Sequence, residues 1–125
     1  MVTLKKALAL SINTVSAKLI DRVGPEAVIE LTKKLGVKAN IPAQPSIALG
    51  AVEITVHDMV AAYGTFANQG IYIKPEVITK IEDKNGNILY QTMPESHDVL
   101  NKDIAYAVVK LLEGVTESGS GSRLR

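Results

Sequence analysis

The sequence predicts a mostly helical α+β fold with about five helices and one β-hairpin. Two patterns carry this prediction. Apolar residues recur at helical spacing in five separate segments. From Val77 to Thr92 the pattern instead becomes β-rich around Asn85-Gly86, the strongest short hairpin signal. Because 125 residues with 46% hydrophobic content are enough for one core, we expect a single unit without internal repeats.

Two helices with a break between them are predicted at the start of the chain. The first runs from Thr3 to Leu10 and the second from about Asn13 to Arg22. Ser11-Ile12-Asn13 interrupts them, because serine and asparagine favour helix caps over helix interiors. The apolar residues expected to face inward on the second helix are Val15, Leu19 and Val23.

Glycine and proline mark the next boundaries. Gly24-Pro25 closes the second helix and starts a third, which continues to Leu35. Residues 37–54 are predicted to form a loop with short helical pieces. Thr55-Val56-His57-Asp58 matches a capping box at the start of a fourth helix, which ends at Asn68-Gln69-Gly70.

The last third of the chain holds the hairpin and the fifth helix. Asn101 is the expected cap of that helix, and Gly114 weakens its end. The serine- and glycine-rich segment 118–122 is predicted to be flexible. Since a lone hairpin is marginal in water, residues 77–92 must pack on helices or on a sheet.

Composition excludes several classes of function. A net charge of +1, 4% aromatic residues and no basic run longer than a pair argue against nucleic-acid binding. No apolar run approaches the ~20 residues of a membrane span. His57 and His97 lack the spacing of a metal site. His57 is predicted to be a surface residue in the first turn of a helix, and His97 to lie in a polar loop. We therefore expect no metal and no cofactor.

Ser11 and Asn13 are the candidate site residues. A serine hydroxyl can relay a proton, and an asparagine carboxamide can both donate and accept hydrogen bonds. The tripeptide alone is weak evidence for a site, and the residues by themselves favour a helix cap.

A family resemblance gives Ser11-Ile12-Asn13 a second interpretation. Residues 2–15 resemble the segment around the second active-site motif of class A, bifunctional penicillin-binding proteins. Residues 24–37 are also similar to that family, and the segment from Pro45 to Gly70 is the most specific match. The resemblance continues in order to Thr116.

This resemblance implies the serine β-lactamase/D,D-transpeptidase-like fold and a peptidoglycan D,D-transpeptidase that cross-links stem peptides through a serine acyl-enzyme. It implies that β-lactams acylate the same serine, and that the parent protein is anchored upstream at the extracytoplasmic face of the bacterial membrane. By the resemblance, Ser11 would contact two motif lysines and pass a proton to the leaving amine. Asn13 would bind the substrate amide and the first motif lysine.

Two of the family's three motifs are missing. Ser-x-x-Lys and Lys-Thr-Gly do not occur in the chain. We therefore expect residues 1–125 to be a partial, inactive transpeptidase domain, with those motifs upstream of residue 1 and downstream of Arg125. In a full transpeptidase domain, the hairpin and the last helix would be expected to lie against a sheet. Removal of that sheet should expose apolar surface on Ile104, Val108 and Leu112 and favour self-association.

Two alternatives remain. The first is a non-catalytic helical interaction domain that is degenerate relative to the transpeptidases. The second is a piece of a serine β-lactamase, which the segment from Pro45 to Gly70 fits less well.

Overall fold

A computed structural model describes residues 1–124, and Arg125 lies outside the described residues. The five predicted helices are confirmed: α1 (Leu4–Ala9), α2 (Asn13–Val23), α3 (Pro25–Lys34), α4 (Val56–Ala67) and α5 (Lys102–Ser118). Short 3-10 helices cover Pro45–Leu49 and Ser122–Leu124. The strands are β1 (Ile71–Ile73), β2 (Lys80–Glu82), β3 (Ile88–Gln91) and β4 (Ser96–Asp98).

Side-chain caps fix where three of these helices begin. The hydroxyl of Thr3 accepts from the backbone N–H of Lys6 at 3.3 Å, at the start of α1. The predicted caps Thr55 and Asn101 are confirmed, since each accepts from a backbone N–H of its helix. Each such bond satisfies a donor that an isolated helix start leaves free.

Helix α3 ends as its sequence predicts. Gly36 adopts a left-handed conformation with φ of 85°. Its N–H donates to Lys33 O at 3.0 Å, and the N–H of Val37 donates to Thr32 O at 3.1 Å. This pair of bonds is the Schellman motif, in which the left-handed position favours glycine.

The predicted hairpin is confirmed, but it is one of two sheets. Strands β2 and β3 pair antiparallel around Asn85-Gly86, whereas β1 pairs antiparallel with β4, with Tyr72 opposite His97. The second pair was not predicted, because each strand has three residues and no tight turn joins them. His97 accordingly lies on a strand, not in the polar loop that the sequence suggested.

The end of the chain also differs from the prediction. Helix α5 passes through Gly114 and continues to Ser118. Gly114 is buried because α1 packs there, and a Cβ at this position would lie 3.1 Å from Lys5 Cε. The segment 118–122 was expected to be flexible. It instead makes backbone hydrogen bonds, including one from the N–H of Gly121 to Val115 O at 3.1 Å.

The buried apolar residues are mostly small. Among residues 1–124, five of the eight buried apolar residues are alanines, which allow close approach of helices. A cluster of Leu35, Val37 and Ala62 packs against half-buried Ala39, Ile41, Ile54, Phe66 and Val99. The predicted inward face of α2 is partly wrong: Ile20 is buried, whereas Leu19 and Val23 are exposed.

The expected apolar surface on α5 is confirmed only at Ile104, which is 54% exposed. Val108 and Leu112 are half-buried because α5 packs against α1 and α4. Across residues 1–124, no helix combines the length and the hydropathy needed to cross a membrane.

Candidate active site

Ser11 and Asn13 lie at the turn that joins α1 to α2. Leu10 ends α1, and Ser11 follows with φ of 53°, in the left-handed region. The N–H of Ser11 donates to Leu8 O at 3.0 Å, and the N–H of Ile12 donates to Ala7 O at 2.9 Å. This is the same Schellman arrangement that closes α3, but here a serine occupies the position that glycine prefers.

The conformation of Ser11 is unfavourable for a residue with a Cβ. A left-handed backbone costs such a residue about 1–2 kcal/mol. Gly36 shows that the chain uses glycine for this conformation elsewhere. Residues held in sparsely populated conformations cluster at functional sites. Gln69 has the same conformation, with φ of 58°, at the end of α4, so the conformation makes Ser11 a candidate functional residue only together with its motif.

Neither Ser11 nor Asn13 caps α2 with its side chain, as the helix-cap interpretation required. Ile12 is the N-cap of α2 and Asn13 its first helical residue. Within residues 1–124, neither the Ser11 hydroxyl nor the Asn13 carboxamide makes a hydrogen bond. Both residues are exposed, while Ile12 between them is half-buried. The turn thus leaves two polar side chains available for an outside partner.

A cleft of about 380 Å³ runs along α1 beside α5. Its lining includes Thr3, Lys6, Leu10 and Ser118, but neither Ser11 nor Asn13. The two candidate residues are therefore next to this cleft along the chain, through Leu10, and are not part of its wall.

A second polar cluster lies at the start of α4. Asp58 is buried, and its Oδ2 accepts from the backbone N–H of Lys38 at 3.0 Å. This hydrogen bond is the main reason why the pKa of Asp58 lies below its ordinary value of 3.8, although burial acts in the opposite direction. The capping box is thus half confirmed: Thr55 accepts from the N–H of Asp58, but the Asp58 carboxylate binds another segment.

The positions of the two histidines do not indicate a metal site. His57 is exposed in the first turn of α4, as predicted. His97 stacks on Tyr72 with ring centroids 4.8 Å apart, and its Nε2 lies 2.9 Å from Lys34 O. Since a carbonyl only accepts, Nε2 must donate here. Within the described residues, no three metal-ligating side chains come together.

The carboxylates of the hairpin do not form an acid–base pair. Asp83 accepts from the side chain and backbone N–H of Asn87 and from the backbone N–H of Asn85. These hydrogen bonds, from the Asn87 side chain above all, lower the pKa of Asp83. A catalytic acid would need the opposite shift.

A contact that the sequence did not reveal lies close to the Ser11 turn. The N–H of Ser120 donates to Ala9 O at 2.9 Å, which joins the segment after α5 to the end of α1. The two residues are far apart in the sequence, and only the glycines around Ser120 hint at a close approach.

Comparison with known proteins identifies the family. A family model described as penicillin binding protein transpeptidase domain matches residues 1–125. The chain belongs to the penicillin-binding protein transpeptidase family. Penicillin-binding protein 1A of Aquifex aeolicus (strain VF5) is 44% identical over 122 residues, which is 98% of this chain and 17% of that protein. The predicted resemblance to class A penicillin-binding proteins is thus confirmed.

Solved structures of penicillin-binding proteins share the fold. The D,D-transpeptidase domain of a peptidoglycan glycosyltransferase from Eggerthella lenta matches with a TM-score of 0.82 at 21% identity, over 97% of this chain and 38% of that one. Penicillin-binding protein 3 from Mycobacterium tuberculosis, complexed with aztreonam, matches with a TM-score of 0.81 at 21% identity, over 94% of this chain and 31% of that one. The predicted fold class is confirmed.

Proposed function

We propose that the protein carrying this chain is a serine-type D,D-transpeptidase that cross-links peptidoglycan stem peptides, and that Ser11 and Asn13 belong to its active site. Membership of the penicillin-binding protein transpeptidase family over residues 1–125 supports the activity. The chain spans 17% of the length of its Aquifex aeolicus relative, so the activity is proposed for the longer protein.

The observation that carries the site assignment is the conformation of Ser11. A serine with φ of 53° stands where the Schellman motif favours glycine. Glycine would close α1 with less strain, so the fold itself does not require a hydroxyl here. A functional need for the hydroxyl would account for the serine, whereas Gln69, which has the same conformation, is not part of a Ser-x-Asn motif.

The chemistry of the two side chains suits acyl transfer. The Ser11 hydroxyl can accept a proton and donate one, so it can relay a proton to the leaving amine. The Asn13 carboxamide can donate to a substrate carbonyl and accept from an amide, which fixes the substrate's orientation. The nucleophilic serine and the motif lysines would come from Ser-x-x-Lys and Lys-Thr-Gly segments, which residues 1–125 lack.

The substrates and the location follow from this reaction. The donor and acceptor would be peptidoglycan stem peptides, and β-lactams would acylate the same nucleophile. The aztreonam complex of penicillin-binding protein 3 from Mycobacterium tuberculosis supports binding of a β-lactam. The protein would act at the extracytoplasmic face of the membrane, anchored upstream of this region.

Covalent labelling with a fluorescent penicillin tests the proposal. The protein from the full reading frame should be labelled, and excess unlabelled penicillin should abolish the signal. The 125-residue chain alone should stay unlabelled, because it lacks the Ser-x-x-Lys nucleophile. A folded full-length protein that is not labelled would contradict the proposed activity and favour a non-catalytic interaction domain.

A further inference from the structure

The segment after α5 holds the end of α1 by two contacts on the same carbonyl. The N–H of Ser120 donates to Ala9 O at 2.9 Å. At Gly119, a Cβ would lie 2.1 Å from Ala9 O and 2.7 Å from Ala9 C. Both atoms belong to backbone that cannot swing aside, so only glycine allows this approach.

This contact extends the hydrogen bonding around the Ser11 turn. The carbonyls at the end of a helix have no partner within that helix. The N–H groups of Ile12 and Ser11 satisfy the carbonyls of Ala7 and Leu8. The next carbonyl, that of Ala9, accepts from Ser120. The backbone just before Ser11 is therefore held by a segment from a different part of the chain.

Helix α1 depends on such support. It has six residues, fewer than the ~12–15 that an isolated helix needs in water. Helix α5 contacts it again at Gly114, where a Cβ would lie 3.1 Å from Lys5 Cε and 3.9 Å from Ala9 Cβ. The position of α1 is thus set largely by its packing on α5.

The segment that makes the contact is itself fixed. The N–H groups of Gly119 and Gly121 both donate to Val115 O, at 3.2 and 3.1 Å. The N–H of Ser122 donates to Gly119 O at 3.2 Å. These bonds tie Gly119-Ser120 to the last turn of α5, so the segment can transmit the position of α5 to Ala9.

We infer that Gly119-Ser120 is a positioning element that holds the Ser11-Ile12-Asn13 turn in its working place through the Ala9 carbonyl. The inference rests on the proposed function of Ser11 and Asn13. It adds two residues that act on the reaction through the backbone and not by touching the substrate.

The test compares two variants of the full-length protein. Ser120→Pro removes the N–H that binds Ala9 O, and the extended conformation of Gly119 is compatible with a following proline. Ser120→Ala keeps that N–H and is the matched control. We expect Ser120→Pro to slow acylation by a fluorescent penicillin roughly 10- to 100-fold, as displacement of catalytic groups does. Ser120→Ala should acylate at the original rate, and an unchanged rate in folded Ser120→Pro would overturn the inference.

A double-mutant cycle separates positioning from a general loss of structure. If Ser120→Pro acts through the Ser11-Ile12-Asn13 turn, adding it to the double variant Ser11→Ala/Asn13→Ala should cause little further loss of acylation. Losses that multiply would overturn the inference. If Ser11→Ala alone leaves acylation unchanged, the proposed role of Ser11 is wrong. Faster amide exchange at Ser11 and Ile12 in Ser120→Pro would then still support the contact, and unchanged exchange would overturn it.

Hydrogen exchange in the unsubstituted protein covers the case in which Ser120→Pro does not fold. The Ser120 residue is exposed, so its N–H should exchange slowly only if it is bonded to Ala9 O. Slow exchange supports the inference. Exchange at the rate of an unstructured peptide would overturn it.

Discussion

Replacement of Ser11 by glycine should separate stability from function. The left-handed backbone at Ser11 costs a residue with a Cβ about 1–2 kcal/mol. Glycine removes this cost but loses about 0.5–1 kcal/mol through the greater freedom of the unfolded chain. The difference leaves the free energy of unfolding unchanged or raised, by about 0–1.5 kcal/mol. At the same time the hydroxyl is lost, so the proton relay proposed for Ser11 should fail.

Urea unfolding and the rate of acylation by a fluorescent penicillin, both on the full-length protein, measure the two effects. We expect Ser11→Gly to be at least as stable as the original protein, with acylation slowed about 100-fold or more. Ser11→Ala keeps the Cβ and should slow acylation equally, with little gain in stability. Gln69→Gly is a matched control, because Gln69 also has a left-handed backbone, with φ of 58°, at the end of α4. It should have a similar effect on stability without changing acylation.

Two results would refute this reasoning. A folded Ser11→Gly protein that acylates at the original rate would show that the hydroxyl has no role. A loss of more than about 1 kcal/mol of stability would show that the Ser11 side chain supports the fold, contrary to its exposure and its lack of hydrogen bonds within residues 1–124.

Three further predictions concern the fold. Gly70→Ala should destabilise the protein by about 2–5 kcal/mol, against about 1–2 kcal/mol for the control Gly50→Ala. Both glycines have positive φ, but only at Gly70 would a Cβ meet a backbone carbonyl, at 2.2 Å, and equal losses in urea unfolding would contradict this. The lowered pKa of Asp58 means that its contribution to stability is present above pH 3.8 and is lost as the pH falls through the folded-state pKa. Asp58→Asn should therefore weaken the dependence of the unfolding free energy on pH in that acidic range, and an unchanged profile would argue against this. The isolated chain should self-associate in sedimentation, and Ile104→Ser should reduce the associated fraction, whereas a clean monomer at every concentration would contradict this role for the exposed Ile104.

Local signals predicted most of the fold. Thr55 and Asn101 cap helices as expected, Gly24-Pro25 separates two helices, and Asn85-Gly86 joins two strands. Each of these features depends on interactions within a few residues. Interactions of this range can be predicted from the identities of neighbouring residues.

Features that depend on distant contacts were not predicted. Strands β1 and β4 find each other without a turn between them, so no local pattern marks them. Helix α5 continues past Gly114 because α1 packs against that glycine, which propensity does not report. The Asp58 carboxylate binds the N–H of Lys38 in another segment, so the capping box predicted half of its bonding.

Ser11 and Asn13 were predicted as site residues through resemblance to the penicillin-binding proteins. The structure adds the left-handed conformation of Ser11, which the sequence does not show. The residues alone favour helix caps as the interpretation of Ser11 and Asn13. The structure gives the N-cap position to Ile12 and places Ser11 in a left-handed conformation. The contact between Ser120 and Ala9 joins two ends of the chain and had no sequence signal beyond its neighbouring glycines.

The most direct test of the site is a crystal structure of the full-length protein acylated by a β-lactam that carries a side-chain amide. We predict that the Asn13 carboxamide lies within hydrogen-bond distance of that amide, roughly 2.6–3.2 Å. The Ser11 hydroxyl should face the bound acyl group and contact a lysine of the flanking motifs. If neither Ser11 nor Asn13 contacts the acyl group or the lysines of the flanking motifs, the assignment is wrong.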